Sequence, residues 1–319
     1  MDPQPVSEPV ARGLRTAGAV AGIGVAGGLA TLAYSAGIEV RNFVVRRVEV
    51  PVLPAGNRPL KVLHVSDVHL TPSQGFKRRW LATLADLEPD LVVDTGDNLS
   101  HPDSVDPLLE GFGRLLDVPG VFVMGSNDYF APSLRNPLWY LFPDDGHRNV
   151  HTPRLPADEL RAAFEKRGWV DLTNTRAQLT VAGATIAFAG VDDPHLGYDD
   201  LAGVAGAAPA DVDLRLGVAH APYLRVLDQY AADGYDLTLA GHTHGGQLCL
   251  PFKGAIVTNC DLEPARAKGL HRHPADSTPG DPASNWMHVS AGAGTSPYAQ
   301  VRLFCRPEAT LLTLTPRLR

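Results

Sequence analysis

What is scarce in this chain narrows its chemistry first. Only three of its 319 residues are cysteine (Cys249, Cys260 and Cys305), and none stand in C-x-x-C spacing. That excludes a cysteine-based zinc motif and an even-numbered disulfide framework, so free thiols are expected. A basic surplus is also missing: 28 Lys and Arg face 35 Asp and Glu, for a net charge of −7. A surface that neutralises many phosphates needs the opposite balance, which argues against long nucleic acid as a partner. A small anionic substrate is still allowed, because bound metal ions can be the largest local charges in a site.

Long apolar runs are scarce too. One uncharged stretch, Thr16 to Ile38, is long enough for a bilayer, which roughly 20 residues can span. It is mostly Ala and Gly, with Val20, Ile23, Val25, Leu29 and Leu32 as its stronger apolar members. Three readings fit: a single membrane anchor, which is preferred; a signal peptide cleaved near Tyr34-Ser35-Ala36, with export; or an unfolded tail. Arg12 and Arg15 before it and Arg41, Arg46 and Arg47 after it leave the orientation open.

The remainder is ordinary globular material, 44% hydrophobic and 20% charged. The expected organisation is a tail (1–15), the anchor or signal segment (16–38), a linker (39–60) and one domain (61–319). Within the domain, short apolar runs recur at 61–66, 90–95, 120–124, 184–190, 213–219, 236–240 and 286–290, then VRLFC and TLLTLT near the end. Helix candidates at 78–88 and 105–116 separate the early runs. Strands alternating with helices predict an α/β fold with a largely parallel early sheet. Closer, glycine-punctuated later runs predict a second, mixed sheet, hence two sheet layers flanked by helices. Residues 131–160, with a helix candidate at 157–168, and residues 261–285 read as surface insertions.

The chemistry sits where these runs end. The first run exits in Ser66-Asp67-Val68-His69, the second in Gly96-Asp97-Asn98, and the third in Gly125-Ser126-Asn127-Asp128. Later runs exit in His220-Ala221-Pro222 and in Gly241-His242-Thr243-His244-Gly245-Gly246. In an α/β sheet, ligands gather at the carboxyl ends of strands. Mixed carboxylate and imidazole donors suit divalent Mn, Fe or Zn. There are more donors than one ion can use, which points to two ions, the usual arrangement for hydrolysing a phosphate ester.

This set (D-x-H, G-D-N, H-A-P and G-H-T-H-G-G-Q) resembles the calcineurin-like metallophosphoesterase superfamily. VSDVHL, GVDDP and GHTHGGQ look most like its bacterial membrane-associated or exported phosphohydrolases. The resemblance covers residues 60 to 315 and implies a four-layer αββα sandwich. It also implies that Asp67, His69 and His244 hold one divalent ion, His220 and His242 the other, and that Asp97 bridges them. A hydroxide shared by the two ions would then attack phosphorus in line. The expected substrate is a small phosphoester, cleaved as a mono-, di- or pyrophosphate, and a membrane anchor holding the site near the bilayer would suit a lipid-linked or nucleotide-type one. The alternatives are a cyclic-nucleotide phosphodiesterase or nuclease, or a weakened scaffold on the same fold.

The third motif departs from the family's G-N-H-D/E. If the register from Gly125 to Asp128 is kept, Ser126 takes the ligand position. If it slips by one residue, Asn127 does, and a carboxamide oxygen is the better ligand. Either way the family's leaving-group histidine is absent. His195, in Val191-Asp192-Asp193-Pro194-His195, is the candidate to replace it. Asn98, Ser126, Asp128 and Asp192 are expected to support the site or touch substrate.

Overall fold

The computed structural model describes residues 25–134 and 150–317. Its strands, in chain order, are β1 (Val44–Leu53), β2 (Leu60–Val65), β3 (Leu91–Asp94), β4 (Gly120–Phe122), β5 (Val170–Asp171), β6 (Thr175–Val181) and β7 (Ala184–Gly190). They continue with β8 (Leu214–Val218), β9 (Leu237–Ala240), β10 (Cys249–Leu250), β11 (Gly254–Ala255), β12 (Gly269–His273), β13 (Asn285–Val289) and β14 (Glu308–Pro316). Two six-stranded sheets result, in the orders β1-β14-β2-β3-β4-β5 and β12-β13-β9-β8-β7-β6, beside a small β10-β11 pair. In the first sheet β2 to β5 run parallel, and β14 is antiparallel to β2. In the second, β7, β8, β9 and β13 run parallel, while edge strands β6 and β12 are antiparallel to their neighbours.

The two-residue period of the strands decides which side chains face which layer. In β3, Leu91 and Val93 point between the sheets, where Leu214, Leu216 and Val218 of β8 and Leu237 and Leu239 of β9 meet them. The intervening Val92 points outward, against Leu81, Leu108, Phe112, Leu160 and Phe164. Those residues come from the helical stretches Gly75–Thr83, Val105–Phe112 and Ala157–Lys166. On the far side, Val226 and Tyr230 of helix Leu224–Ala232 cover Ala189 and Ala219 of the second sheet. The result is helix, sheet, sheet, helix, the αββα sandwich that the resemblance implied. Each fully buried Val, Leu or Phe contributes roughly 1.5–3 kcal/mol, so the cores can tolerate strain at the sheet ends.

Several local expectations need correction. Val44–Leu53, inside the expected linker, is a strand paired in parallel with β14, and its inward Val50, Val52 and Leu53 are buried. Gly269–His273, inside an expected surface insertion, pairs with β13, and His273 is buried, hydrogen-bonded to Asp228 at 2.8 Å, rather than solvated. VRLFC (301–305) is not a strand: Arg302 turns its guanidinium inward onto backbone carbonyls and Phe304 adopts φ 52°. Trp139, Tyr140 and Phe142, aromatic residues within the expected insertion at 131–160, lie outside the described residues. So do residues 16–24 of the expected membrane segment. Residues 25–37 are helical, with Val25, Leu29 and Leu32 exposed. Among the described residues, no helix is long and apolar enough to cross a membrane.

Candidate metal centre

Because the central strands of each sheet are parallel, their carboxyl ends open on one edge, and five exits converge there. The loop after β2 docks on the loop after β3 through Asp67 N to Gly96 O (2.8 Å) and His69 N to Asp97 O (2.9 Å). The two sheets are tied at the same edge: His242 N donates to Asp67 Oδ2 at 3.0 Å, and His220 Nδ1 donates to Thr95 O at 2.7 Å. Close approach requires glycine at Gly125, where a Cβ would lie against Asp97 Oδ1 and 2.7 Å from His220 Cε1. Asp67, His69, Asp97, His242 and His244 all have left-handed backbones, with φ of 50°, 46°, 60°, 67° and 49°. Such conformations cost of order 1–3 kcal/mol each in non-glycine residues, and they persist where the surroundings over-determine them, typically at functional sites.

The side chains so placed form two groups whose ligand atoms lie within 4.8 Å of one another: Asp67, His69 and His244, and Asp67, Asp97 and His220. Asp67 is common to both groups, and Asp97, in the second, also reaches a member of the first. Asp97 Oδ2 lies 3.4 Å from His69 Nε2, and its Oδ1 lies 3.6 Å from His220 Nε2. Those two imidazole nitrogens are buried and have no hydrogen-bond partner. Oxygen and nitrogen donors each about 2.1 Å from one ion stand roughly 3.0–3.4 Å apart, so this spacing fits metal ligation better than hydrogen bonding. His244 Nε2 lies 3.7 Å from Asp67 Oδ1. His242 joins neither group; its ring is 5.2 Å, centre to centre, from that of His220, and its Nε2 lies 3.1 Å from Asn259 O.

The partners behind the ligand atoms fix the tautomers. His220 Nδ1 and His244 Nδ1 meet the carbonyls of Thr95 and Gly294, at 2.7 and 3.1 Å, so each Nδ1 carries a proton and each Nε2 is the nitrogen left to face the carboxylates. Burial, reinforced by Lys77, His220 and Arg302 against the pull of Asp97, lowers His69 to about 4. Burial and the neighbouring His69 and Arg302 hold His244 well below its usual value. His220 goes the other way: burial opposes its charge, but Asp97, Asp193 and Asp67 outweigh burial and raise it to about 9. The buried carboxylates thus demand positive charge at this spot, which a cation would supply.

The third motif resolves into two jobs. Asp128 is buried and accepts from Gly125 N, Asp97 N and Asn98 N at 2.9, 2.8 and 2.8 Å, tying the third exit to the second. Asn127 reaches Asp97: its backbone N donates to Oδ1 at 2.7 Å and its Nδ2 to Oδ2 at 2.8 Å. A carboxamide that turns over presents Oδ1 instead of Nδ2, so Asn127 is suited to an ion. Ser126 Oγ lies beside it, 3.4 Å from Asn127 Nδ2. Asn98 donates to Asp94 Oδ1 at 3.0 Å and braces its own turn. His195 is brought to the rim, its ring 4.3 Å from that of His242 and its Nδ1 3.2 Å from Tyr223 Oη. Asp192 receives Tyr129 Oη at 2.8 Å, linking the β7 exit to the third motif.

Three residues escaped the sequence reading. Asp193 is fully buried, its Oδ1 fixing His195 N at 2.8 Å, and its signal was only its place beside Asp192. Lys77, buried in helix Gly75–Thr83, clamps the D-x-H loop through Val68 O (2.6 Å) and His69 O (3.3 Å). Burial lowers its pKa to about 7. Arg302 is fully buried, with Nη2 2.6 Å from Gly294 O and 2.7 Å from Ala291 O. Nothing in a single sequence separates such a lysine or arginine from a surface cation.

The chain is similar to known metallophosphoesterases. The chain is 25% identical to an uncharacterized metallophosphoesterase of Bacillus subtilis, YkuE, over 84% of its own length and 83% of that protein. It is 28% identical to a bovine transmembrane protein with metallophosphoesterase domain, over 64% of this chain and 45% of that one. Among solved structures it is similar to a purple acid phosphatase from yellow lupin, with TM-score 0.45 and 12% identity, over 76% of this chain and 46% of that one. Residues 60–246 match the calcineurin-like phosphoesterase family. The chain belongs to that family, and it is a metal-dependent phosphoric ester hydrolase.

Proposed function

We propose that the chain cleaves small phosphoesters at a pair of divalent ions shared through Asp97. The observation that carries this reading is the Asp97 carboxylate, whose two oxygens face two different buried, unpartnered imidazole nitrogens, His69 Nε2 and His220 Nε2. Asp67, His69 and His244 would hold one ion, and His220, His242 and Asn127 the other. His242 would bind through Nδ1, leaving Nε2 on the Asn259 carbonyl. Two such ions supply charge neutralisation for the phosphate and a water made acidic enough to attack at neutral pH. Mn, Fe and Zn all suit this donor set.

The remaining steps belong to the chain's own residues. Burial of Asp67 and Asp97 excludes bulk water around the carboxylates, which strengthens every charge interaction there. His195, set by Asp193 and Tyr223 beside His242, would hydrogen-bond the phosphate or the departing oxygen. It stands in for the family's missing histidine. A substrate with a good leaving group, a diester or pyrophosphate, needs that help least.

Hydrolysis of chromogenic mono- and diesters with Mn²⁺ supplied tests this. Turnover of the diester is expected, with loss in Asp97→Ala. Less than one tightly bound metal per chain, together with no turnover, would replace the enzyme reading with a scaffold. In a leaving-group series, His195→Gln is expected to cost on the order of 10²–10⁴ for poor leaving groups and little for good ones. An equal loss across the series would remove His195 from the reaction.

A further inference from the structure

The sequence scatters the cysteines, but the fold gathers two of them directly behind the His244 loop. Leu248 and Leu303 form a parallel bridge, and Cys249 N donates to Leu303 O at 2.9 Å. Cys249 Sγ lies 3.3 Å from Gly245 O; Cys305 Sγ lies 3.5 Å from the same oxygen and 3.3 Å from His244 O. Both sulfurs thus meet the same Gly245 carbonyl. They share a small buried cluster with Ala255, Ala267 and Ala291. Lys268 Nζ and Arg302 Nη1 lie 3.4 and 3.8 Å from Cys305 Sγ. Cys260 packs elsewhere, against the Leu227, Leu262, Met287 and Val289 cluster.

We propose that Cys249 and Cys305 are a redox pair: hydrogen peroxide joins them as a disulfide, and this weakens the ion position built on His244. The second half rests on the metal reading above. Cys305 sulfur attacks one peroxide oxygen; the O–O bond breaks, water leaves with the thiol proton, and a sulfenic acid remains. Cys249 sulfur then attacks that sulfur, the S–O bond breaks, and a second water carries off the second proton. Two electrons pass from the sulfurs to the peroxide, and the charges balance. The cost falls on the loop. Both S–H donors are consumed, so the carbonyls of His244 and Gly245 lose partners exactly where the backbone is left-handed, at φ 49° and 62°. Changes to such outer partners typically weaken metal binding 10–100-fold.

Thiol counting on the full chain tests the pairing without reference to activity. Alkylation under denaturing conditions, read by mass, is expected to find three thiols before peroxide and one after, with Cys249 linked to Cys305. Dithiothreitol restores all three. Competition with a chromophoric chelator is expected to show metal affinity about tenfold or more lower in the oxidised protein. Cys249→Ser should lose the peroxide response, while Cys260→Ser keeps it. Three thiols after peroxide, a bond through Cys260, or unchanged affinity in the linked protein overturns the proposal. A reduced chain that binds no metal overturns the metal reading and the second half of this one, while the thiol count still judges the first half.

Discussion

Replacing Arg302 by lysine probes the least legible part of the site. The guanidinium serves five carbonyls from two nitrogens: Nη2 reaches Gly294, Ala291 and Gly292 at 2.6, 2.7 and 3.2 Å, and Nη1 reaches Cys305 and His244 at 3.2 and 3.4 Å. Gly294 O also receives His244 Nδ1, so Arg302 helps to fix the imidazole through that oxygen. A lysine keeps the charge but carries three donors on one nitrogen, leaving at least two carbonyls without their partner. Hydrogen bonds to charged groups are worth about 1.5–3 kcal/mol each, so Arg302→Lys should destabilise the metal-free protein by roughly 3–6 kcal/mol. That is a large share of the ~5–15 kcal/mol typical of a folded domain, yet it leaves the chain folded in many cases. Urea unfolding after chelation measures the first effect. Metal affinity, expected to fall about 10–100-fold, measures the second. A loss below about 1 kcal/mol with affinity unchanged would refute Arg302 as the organiser of the His244 loop.

Other expectations follow from the same contacts. Gly125→Ala drives a methyl group into Asp97 and His220; because a displacement near 1 Å can cost about 10²-fold, hydrolysis should fall by that order. An intact near-UV spectrum would show that the loss is local, and full activity would remove the close approach from the account. Chelation should lower thermal stability, by about 2.7 kcal/mol for each site held at 100 times its Kd, and Mn²⁺ should restore it; melting curves indifferent to metal would contradict this. The inter-sheet pair His64 and His288, with Nδ1 atoms 2.9 Å apart, is kept neutral by burial, His288 at about 3. Because the unfolded imidazole binds a proton near 6.5 and the folded one does not, stability falls as pH drops below 6.5. The slope is about 1.4 kcal/mol per pH unit per histidine. His288→Gln should flatten the acid limb of urea unfolding in the metal-free protein, by roughly 2 kcal/mol between pH 7 and 5; an unchanged limb would refute the assignment.

The αββα order and the convergence of the motif-bearing strand exits were legible because both are written locally. Apolar runs of five to seven residues set the strands, and the residue after each run is placed by the strand itself. What escaped depends on distance along the chain. Val44–Leu53 was hidden by its exposed charged residues, Arg46, Arg47 and Glu49, which suit an edge strand and read as a connector. Gly269–His273 is only partly buried and makes sense only once β13 lies beside it. Arg302 reaches back to the His244 carbonyl, 58 residues away, whereas Lys77 and Asp193 hold nearby backbone groups, and no spacing rule announces any of these partners. The third motif lay between: its mismatch was visible, but only the contacts of Asn127 with Asp97 and of Asp128 with three amides separate the two jobs.

The central claim is that one carboxylate joins two ions, and the electron paramagnetic resonance spectrum of the Mn²⁺-loaded chain tests it most directly. About two Mn²⁺ per chain are expected, some 3.5–4 Å apart, giving an exchange-coupled spectrum. Asp97→Asn should convert that spectrum to isolated ions or lose one of them. Uncoupled six-line Mn²⁺ in the wild-type chain, or a coupled pair that survives in Asp97→Asn, would contradict the account.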